Sequence, residues 1–299
     1  MFIATHRTFF FWFTGILLAA ALGAIFYFGL PVGIDFAGGS LMQVQYPNGR
    51  PALAAVEQEV STVPLGPVSV RASGSDAVSI RTATLTPEEH TAVLAALSHN
   101  ASTTELSYTS VGPSLGAQFT SKALWAIFAV VLAIVLFIAF AFRKVSRPVP
   151  SWVYGLTVIV ILVHDLVIPA GFFAIFAHFT GAEVDSLFVT ALLALLGYSV
   201  NDTIIIFDRV REHLAVNEKT GTKEDFETTV GKSISETMTR SINTSLTVVL
   251  ALAVLVILGA AATRTFALVM LVGVIAGTYS SVLLAAPLLI PLSRYFTKK

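Results

Sequence analysis

Apolar residues along this chain gather into blocks longer than the core of a small soluble domain requires. About 20 helical residues are needed to cross about 30 Å of hydrocarbon. Six blocks reach that length, approximately at 9–30, 124–142, 153–176, 187–207, 245–262 and 266–292. The first is too long for a signal peptide and no small-residue cleavage site follows it, so it is expected to stay as an anchor. Between residues 31 and 118 the pattern shortens. Met42, Val44 and Tyr46 alternate ahead of the turn at Pro47-Asn48-Gly49, which predicts a strand. Pro51 marks a helix start, with Leu53, Val56 and Val60 on one face. Short strands at 68–72 and 77–83 flank Ser73-Gly74-Ser75-Asp76, a hairpin signal. Thr86, Pro87 and Glu89 form a capping box expected to open a helix running to about His99. A strand at 105–111 closes a βαββαβ series, the order of a ferredoxin-like sandwich.

The chain therefore divides into a first transmembrane helix (1–30), an extracytoplasmic α+β domain (31–118) and five further transmembrane helices (119–299). A polar connector at about 209–240 interrupts the last part. Phe226, Val230, Ile234 and Met238 recur there every fourth residue, and Thr222 with Asp225 signals a helix start. Two readings stay open: an amphipathic helix lying on the cytoplasmic membrane surface and leading into the fifth span, or a plain connector.

Composition supports a membrane protein, since 55% of residues are hydrophobic, only 12% are charged and the mean hydropathy is +0.81. Eighteen basic and eighteen acidic residues cancel, which leaves no basic field for nucleic acid. Cysteine is absent, excluding disulfides and thiolate metal sites, and no two of the six histidines have ligand spacing on one helix face. No cofactor or metal is expected. Thirteen Lys and Arg fall on one side of the spans (Arg7, Arg143, Lys144, Arg147, six from Arg209 to Arg240, Arg294, Lys298, Lys299) and five on the other (Arg50, Arg71, Arg81, Lys122, Arg264). Positive charge collects on the cytoplasmic side, so both termini are expected there.

Ionisable groups inside hydrocarbon cost about 2.5–3.5 kcal/mol each on insertion scales, so each points to a partner, a wet cavity or a function. Asp165, beside His164, lies halfway along the third span. Asp202 lies in the fourth, within Gly197-Tyr198-Ser199-Val200-Asn201-Asp202. Asp208 and Arg209 sit at its inner end, where snorkelling is cheap. Arg240, Asn243, Thr244 and Thr247 form a polar stripe on the fifth span. This stripe either hydrogen-bonds another helix or lowers the cost of Asp202, in which case the two can hold and release a proton. Gly273 and Gly277, continued by Ser281 and Ala285, have the spacing of a close-packed helix face. Pro169 with Gly171, and Pro287, can kink their helices or free backbone carbonyls. In the outer domain His90 and His99 are solitary, and Glu57, Glu59, Glu88 and Glu89 fall on helix surfaces. No catalytic constellation emerges there, and an enzyme is not expected.

These motifs, taken together, resemble the SecF family, membrane subunits of the bacterial SecD and SecF export complex. Gly33-Ile34-Asp35-Phe36-Ala37-Gly38-Gly39-Ser40 resembles the family's entrance to the outer domain and Ser110-Val111-Gly112-Pro113-Ser114-Leu115-Gly116 its exit. The run from Gly197 through Asp202 to Asp208 and Arg209 is the most specific signature. His164-Asp165 and Arg240-Ser241-Ile242-Asn243-Thr244-Ser245 complete the set in family order. The resemblance implies a fold of the resistance-nodulation-division type, pairing with a homologous six-helix unit from a SecD-like subunit. It further implies a bacterial cytoplasmic membrane location and an accessory role beside the Sec translocon channel, using the proton gradient to promote movement of a translocating polypeptide. Asp202 and Arg240, with Asp165 behind them, are the implied proton-linked residues; Gly38, Gly39, Gly112 and Pro113 are the implied outer-domain hinges. Two other classes remain: a small-molecule or lipid transporter of the same superfamily, and an intramembrane aspartyl protease using Asp165 and Asp202 as a dyad.

Overall fold

The computed structural model describes residues 2–99, 101–143 and 149–297. A short helix α1 (Phe2–Thr5) precedes α2 (Arg7–Phe28) and a single turn, α3 (Ile34–Ala37). Then come β1 (Gly39–Gln45), α4 (Leu53–Val60), β2 (Ser69–Ser73), β3 (Ala77–Thr82), α5 (Pro87–Leu97) and β4 (Thr104–Val111). The rest is helical: α6 (Pro113–Ala141), α7 (Ser151–Thr180), α8 (Ser186–Thr220), α9 (Phe226–Leu258), α10 (Ala261–Ser280), a π-helical turn at Ser281–Ala285, and α11 (Ala286–Thr297). Six helical stretches are long and apolar enough to cross a membrane: α2, α6, α7, α8, α9 and the run Thr263–Tyr295.

Two compact units result. One consists of Pro31–Leu124 with Glu183–Ser186. Its four strands form an antiparallel sheet in the order β2-β3-β1-β4, the ferredoxin-like arrangement. Alternation along β1 and β3 sends Met42, Val44, Val78 and Ile80 to one face, where Val56 and Val60 of α4 and Val93 and Leu97 of α5 cover them. Thr86 caps α5 as its spacing predicts: its hydroxyl accepts from Glu89 N at 3.2 Å, and Glu89 Oε2 accepts from Thr86 N at 2.8 Å. Pro51, by contrast, lies ahead of α4, whose N-cap is Ala52.

The entrance and exit of this unit are packed against each other. Gly38 has φ +76°, and a Cβ there would lie 3.0 Å from Pro113 Cα; one on Gly116 would lie 2.8 Å from Phe36 O. Only glycine permits backbones to come that close. Residues 183–186 join in: Gly33 N donates to Val184 O, and Asp35 Oδ2 accepts from Ser186 N at 2.8 Å and Ser186 Oγ at 2.6 Å.

The other unit holds the remaining helices. Half or more of the apolar window is buried in α7 (56%), α8 (50%) and the α10–α11 run (56%), against 11% in α2, 6% in α6 and 17% in α9. The first three are thus the centre of the bundle, and α7, apolar on every side, reads as such a helix must. Gly171 brings α7 onto α2: a Cβ there would meet Ala21 Cα at 2.6 Å. Gly273 and Gly277 bring α10 onto α8, facing Leu195 and Ser199. The π turn follows, just before Pro287, which has no N–H to donate and whose ring excludes a normal α-helical turn. It rewinds the helix between Ser281 and Ala285, so the four-residue spacing does not continue unbroken.

The connector differs from both sequence readings. Helix α8 runs straight on to Thr220, and α9 starts at Phe226 and continues through the fifth span to Leu258. Asp225 caps it, accepting from Glu227 N at 3.1 Å. No separate surface helix is present among the described residues, because Phe226, Val230 and Ile234 find a buried partner in α8 and α11, with Ile206, Val210, Ala286 and Ile290, rather than a membrane surface. Likewise α6 starts at Pro113, 11 residues ahead of the apolar block predicted from 124. Lys144, Arg147, Lys298 and Lys299, used in the charge count, lie outside the described residues.

Candidate functional site in the helix bundle

Asp202 on α8 is 2% exposed and faces α9, where Ser245 Oγ donates to its Oδ2 at 3.4 Å. Ser245 has further partners: Tyr198 OH donates to it at 3.1 Å and Thr278 Oγ1 at 2.7 Å. One proton given and two accepted is all that a serine hydroxyl can manage. One turn earlier, Ser241 is fully buried; among the described residues its hydroxyl has no hydrogen-bond partner of good geometry, and the group it acts on is Asp202. Arg240 is not part of this contact. Helical phase turns Ser241 and Ser245 inward and Arg240, Asn243, Thr244 and Thr247 outward, where they are exposed. Among the described residues Arg240 makes no ion pair with Asp202, and it acts on the carboxylate only through space.

Asp165 belongs to a second network. It is 1% exposed, as is His164. His164 Nδ1 lies 2.7 Å from Asp165 Oδ1, and His164 Nε2 lies 2.6 Å from the Tyr279 hydroxyl. Ser199 Oγ donates to the other carboxylate oxygen, Oδ2, in a very short hydrogen bond. Among the described residues Asp165 and Asp202 share no hydrogen-bond partner, so the contact that an aspartyl dyad needs in order to share one proton is not made here. Between the two networks, Thr203 and Ser281 hydroxyls lie 2.8 Å apart. A cavity of about 480 Å³ opens beside both, with Ser245, Thr278 and Tyr279 in its wall among apolar side chains such as Met238, Ile242 and Ile275.

Charges outside the apolar stretch pair with one another. Glu227 joins Arg7 at 2.7 Å to Arg294 at 2.8 Å, and Glu236 joins Arg209 at 2.5 Å to His213 at 3.0 Å. Asp208 pairs with Arg211. The Lys232 ammonium, hydrogen-bonded to Glu224, holds that carboxyl below its ordinary range. No cluster of His, Asp and Glu able to hold a metal ion occurs among the described residues.

Residues 92–295 match the family described as protein export membrane protein SecD/SecF, C-terminal. The protein translocase subunit SecF of Thermobaculum terrenum is 39% identical over 275 residues, covering 88% of this chain and 84% of that one. The SecF subunit of Sebaldella termitidis is 35% identical, covering 97% and 91%. The chain belongs to the SecD/SecF family of protein export membrane proteins. Within it, this is a SecF-type translocase subunit, a multi-pass protein of the bacterial inner membrane. A crystal structure of SecDF, a translocon-associated membrane protein from Thermus thermophilus, superposes with a TM-score of 0.83 at 26% identity over 97% of the present chain. The chain spans only 38% of that SecDF protein.

The SecF signature Gly197–Arg209 separates by helical phase. Ser199 and Asp202 are buried, Tyr198 is half-buried, and Gly197, Asn201 and Asp208 are exposed. Tyr279 and Thr278 escaped sequence reasoning. They follow Gly277 directly, and the small-residue spacing drew attention to packing; the signal available was two hydroxyls beside a face already expected to touch another helix.

Proposed function

We propose that this chain is the SecF half of a SecD–SecF assembly in which protonation of Asp202 is coupled to polypeptide export beside the Sec translocon channel. The observation that supports this is the state of Asp202 itself: a carboxylate almost wholly buried in a membrane helix, met by one long hydrogen bond from Ser245 and by the Ser241 hydroxyl one turn away. Such a group is expensive as an anion, costing several kcal/mol unless paired. Its charge therefore depends on a proton or on a cation brought to it. Gaining a proton frees it from Ser245 and losing one draws donors in, so Ser241 and Ser245 offer two positions on α9. Movement of one charge through 100 mV supplies about 2.3 kcal/mol, enough to bias such a two-position element more than tenfold.

Arg240 enters as a cation facing outward on α9. Polar side chains at membrane depth face protein or water, not lipid, yet Gly197, Asn201, Arg240, Asn243 and Thr244 are exposed on this chain. A SecD-type six-helix unit covering that face would place Arg240 between the two subunits. Both termini are cytoplasmic in this reading, from the distribution of Lys and Arg. Gly38, Gly39, Gly112 and Pro113 are the residues through which the outer unit would move, and Asp165 is the weaker of the two proton-linked acids.

The test is export of a polypeptide into vesicles carrying the SecD–SecF assembly under an imposed proton gradient. Asp202→Asn, which keeps size and hydrogen bonding but cannot ionise, should abolish the gradient-dependent component while the assembly still co-purifies. Arg240→Ala should do comparable harm. Gradient-driven export by Asp202→Asn at the normal rate would make Asp202 a structural polar contact.

A further inference from the structure

Buried histidines are ordinarily satisfied by one backbone or side-chain partner; His164 has both ring nitrogens engaged by titratable groups. Nδ1 is 2.7 Å from Asp165 Oδ1 and Nε2 is 2.6 Å from the Tyr279 hydroxyl, with both His164 and Asp165 1% exposed. With a neutral ring, one proton pattern satisfies the whole line when the carboxylate is ionised. His164 is then neutral and donates Nδ1–H to Asp165, its Nε2 accepts from the Tyr279 O–H, and Ser199 donates to the remaining carboxylate oxygen. The far end of the line is accessible: Tyr279 is half-buried and stands in the wall of the cavity of about 480 Å³. The adjacent residue, Thr278, and Ser245, which hydrogen-bonds Asp202, stand in the same wall.

We infer that Tyr279, His164 and Asp165 form a second proton-holding site, loaded through the Tyr279 hydroxyl. The site rests on the proton-coupled reading of Asp202 and deepens it. In the loading step Tyr279 passes its O–H proton to His164 Nε2 and takes one onto its oxygen from a hydronium ion, which is left as neutral water, so the tyrosine stays neutral. The imidazolium that forms is held beside the Asp165 carboxylate. Unloading runs the same transfers backward. Among the described residues, α2 carries no titratable group between Thr8 and Phe26, and on α8 the group hydrogen-bonded to Asp165 is the neutral Ser199. The arrangement also accounts for the tight approach of α10 to α8 at Gly277, whose absent Cβ would sit 3.0 Å from Ser199 Cβ.

The experiment measures proton entry into vesicles carrying the complete SecD–SecF assembly, with a pH-sensitive dye inside, across a range of external pH. Tyr279→Phe keeps the ring packed on His164 and Phe13 and removes only the transferable proton. It should slow proton entry by about 100-fold, the usual worth of a positioned proton-transfer group. His164→Gln keeps a polar side chain without an ionisable ring and should both slow entry and flatten its pH dependence. Phe13→Leu serves as a packing control, since it removes the ring that meets Tyr279 edge-on without touching the proton line, and should leave the pH dependence intact. Should either substitution disturb assembly, proton uptake by infrared difference spectroscopy of the wild-type protein decides: a carboxyl or imidazole signal lost in Asp165→Asn supports the site, and its absence overturns it. Normal proton entry and an unchanged pH profile in Tyr279→Phe and His164→Gln, with Asp202→Asn inactive, would overturn this inference alone. Normal entry in Asp202→Asn would instead overturn the reading on which it rests.

Discussion

Single residues in this protein act mainly by what they leave out or leave unpaired. Gly171 leaves out a methyl group that would lie 2.6 Å from Ala21 Cα and 2.7 Å from Ala21 O, and backbone cannot yield as a side-chain tip can. Gly171→Ala should therefore push α2 off α7 and cost about 1–3 kcal/mol, the usual range for overpacking. Thermal unfolding of the detergent-solubilised protein measures it; an unchanged midpoint would contradict the tight approach. Tyr46 leaves a hydroxyl without a partner in the core of the sheet unit. Burial, with the Glu59 carboxylate nearby, pushes its ionisation up to about 12 from 10. The neutral phenol is favoured in the folded state, so its contribution to stability is complete below pH 10 and is lost as pH rises from 10 to about 12. Comparing the thermal midpoint of wild type and Tyr46→Phe across that interval isolates this loss: it should be present in the first and absent in the second.

Among elements, those with strong local signals were legible and those made by tertiary contact were not. The capping box at Thr86 and Glu89 determined where α5 starts, because both halves of the motif lie within one turn. Thr86→Ala should destabilise the protein by about 1 kcal/mol, read from the same thermal midpoint, and no change would mean that the cap is redundant with Pro87. The start of α9 lies one turn later than its sequence signal: Thr222 with Asp225 reads as a box capped at Thr222, whereas Asp225 itself is the cap. The continuity of α9 through the polar segment was not legible, because a helix lined by Val230 and Ile234 looks alike in sequence whether it rests on lipid headgroups or on α8 and α11. The two buried acids were visible as charges in apolar blocks and Ser245 lay in the Arg240–Ser245 motif, whereas Thr278 and Tyr279 are ordinary residues that acquire meaning only when the helices meet. The outward phase of Gly197, Asn201 and Arg240 gives a test at this scale. A Cβ on Gly197 would meet nothing within 4 Å in this chain, so Gly197→Leu should leave the isolated subunit's thermal midpoint unchanged while reducing co-purification with the SecD-type subunit. Undiminished co-purification would place the partner on another face.

For the whole molecule, the central claim is that a proton on Asp202 is what the export cycle exchanges. The bundle supplies the conditions: a central helix, α8, that carries the acid where water is scarce, and a neighbour, α9, whose inward face is hydroxyl and whose outward face is cationic. The orientation that gives this a direction follows from the Lys and Arg count, and a reporter joined after Lys299 should be cytoplasmic while one inserted at Gly74 should be external. An external signal from the Lys299 fusion would invert the membrane assignment. The most direct measurement is proton entry into sealed vesicles containing the SecD–SecF assembly, with wild type, Asp202→Asn and Asp202→Glu compared under one imposed gradient. The account predicts entry in wild type, none above background in Asp202→Asn, and partial recovery in Asp202→Glu, which can ionise but is one methylene longer. Proton entry through Asp202→Asn at the wild-type rate would contradict it.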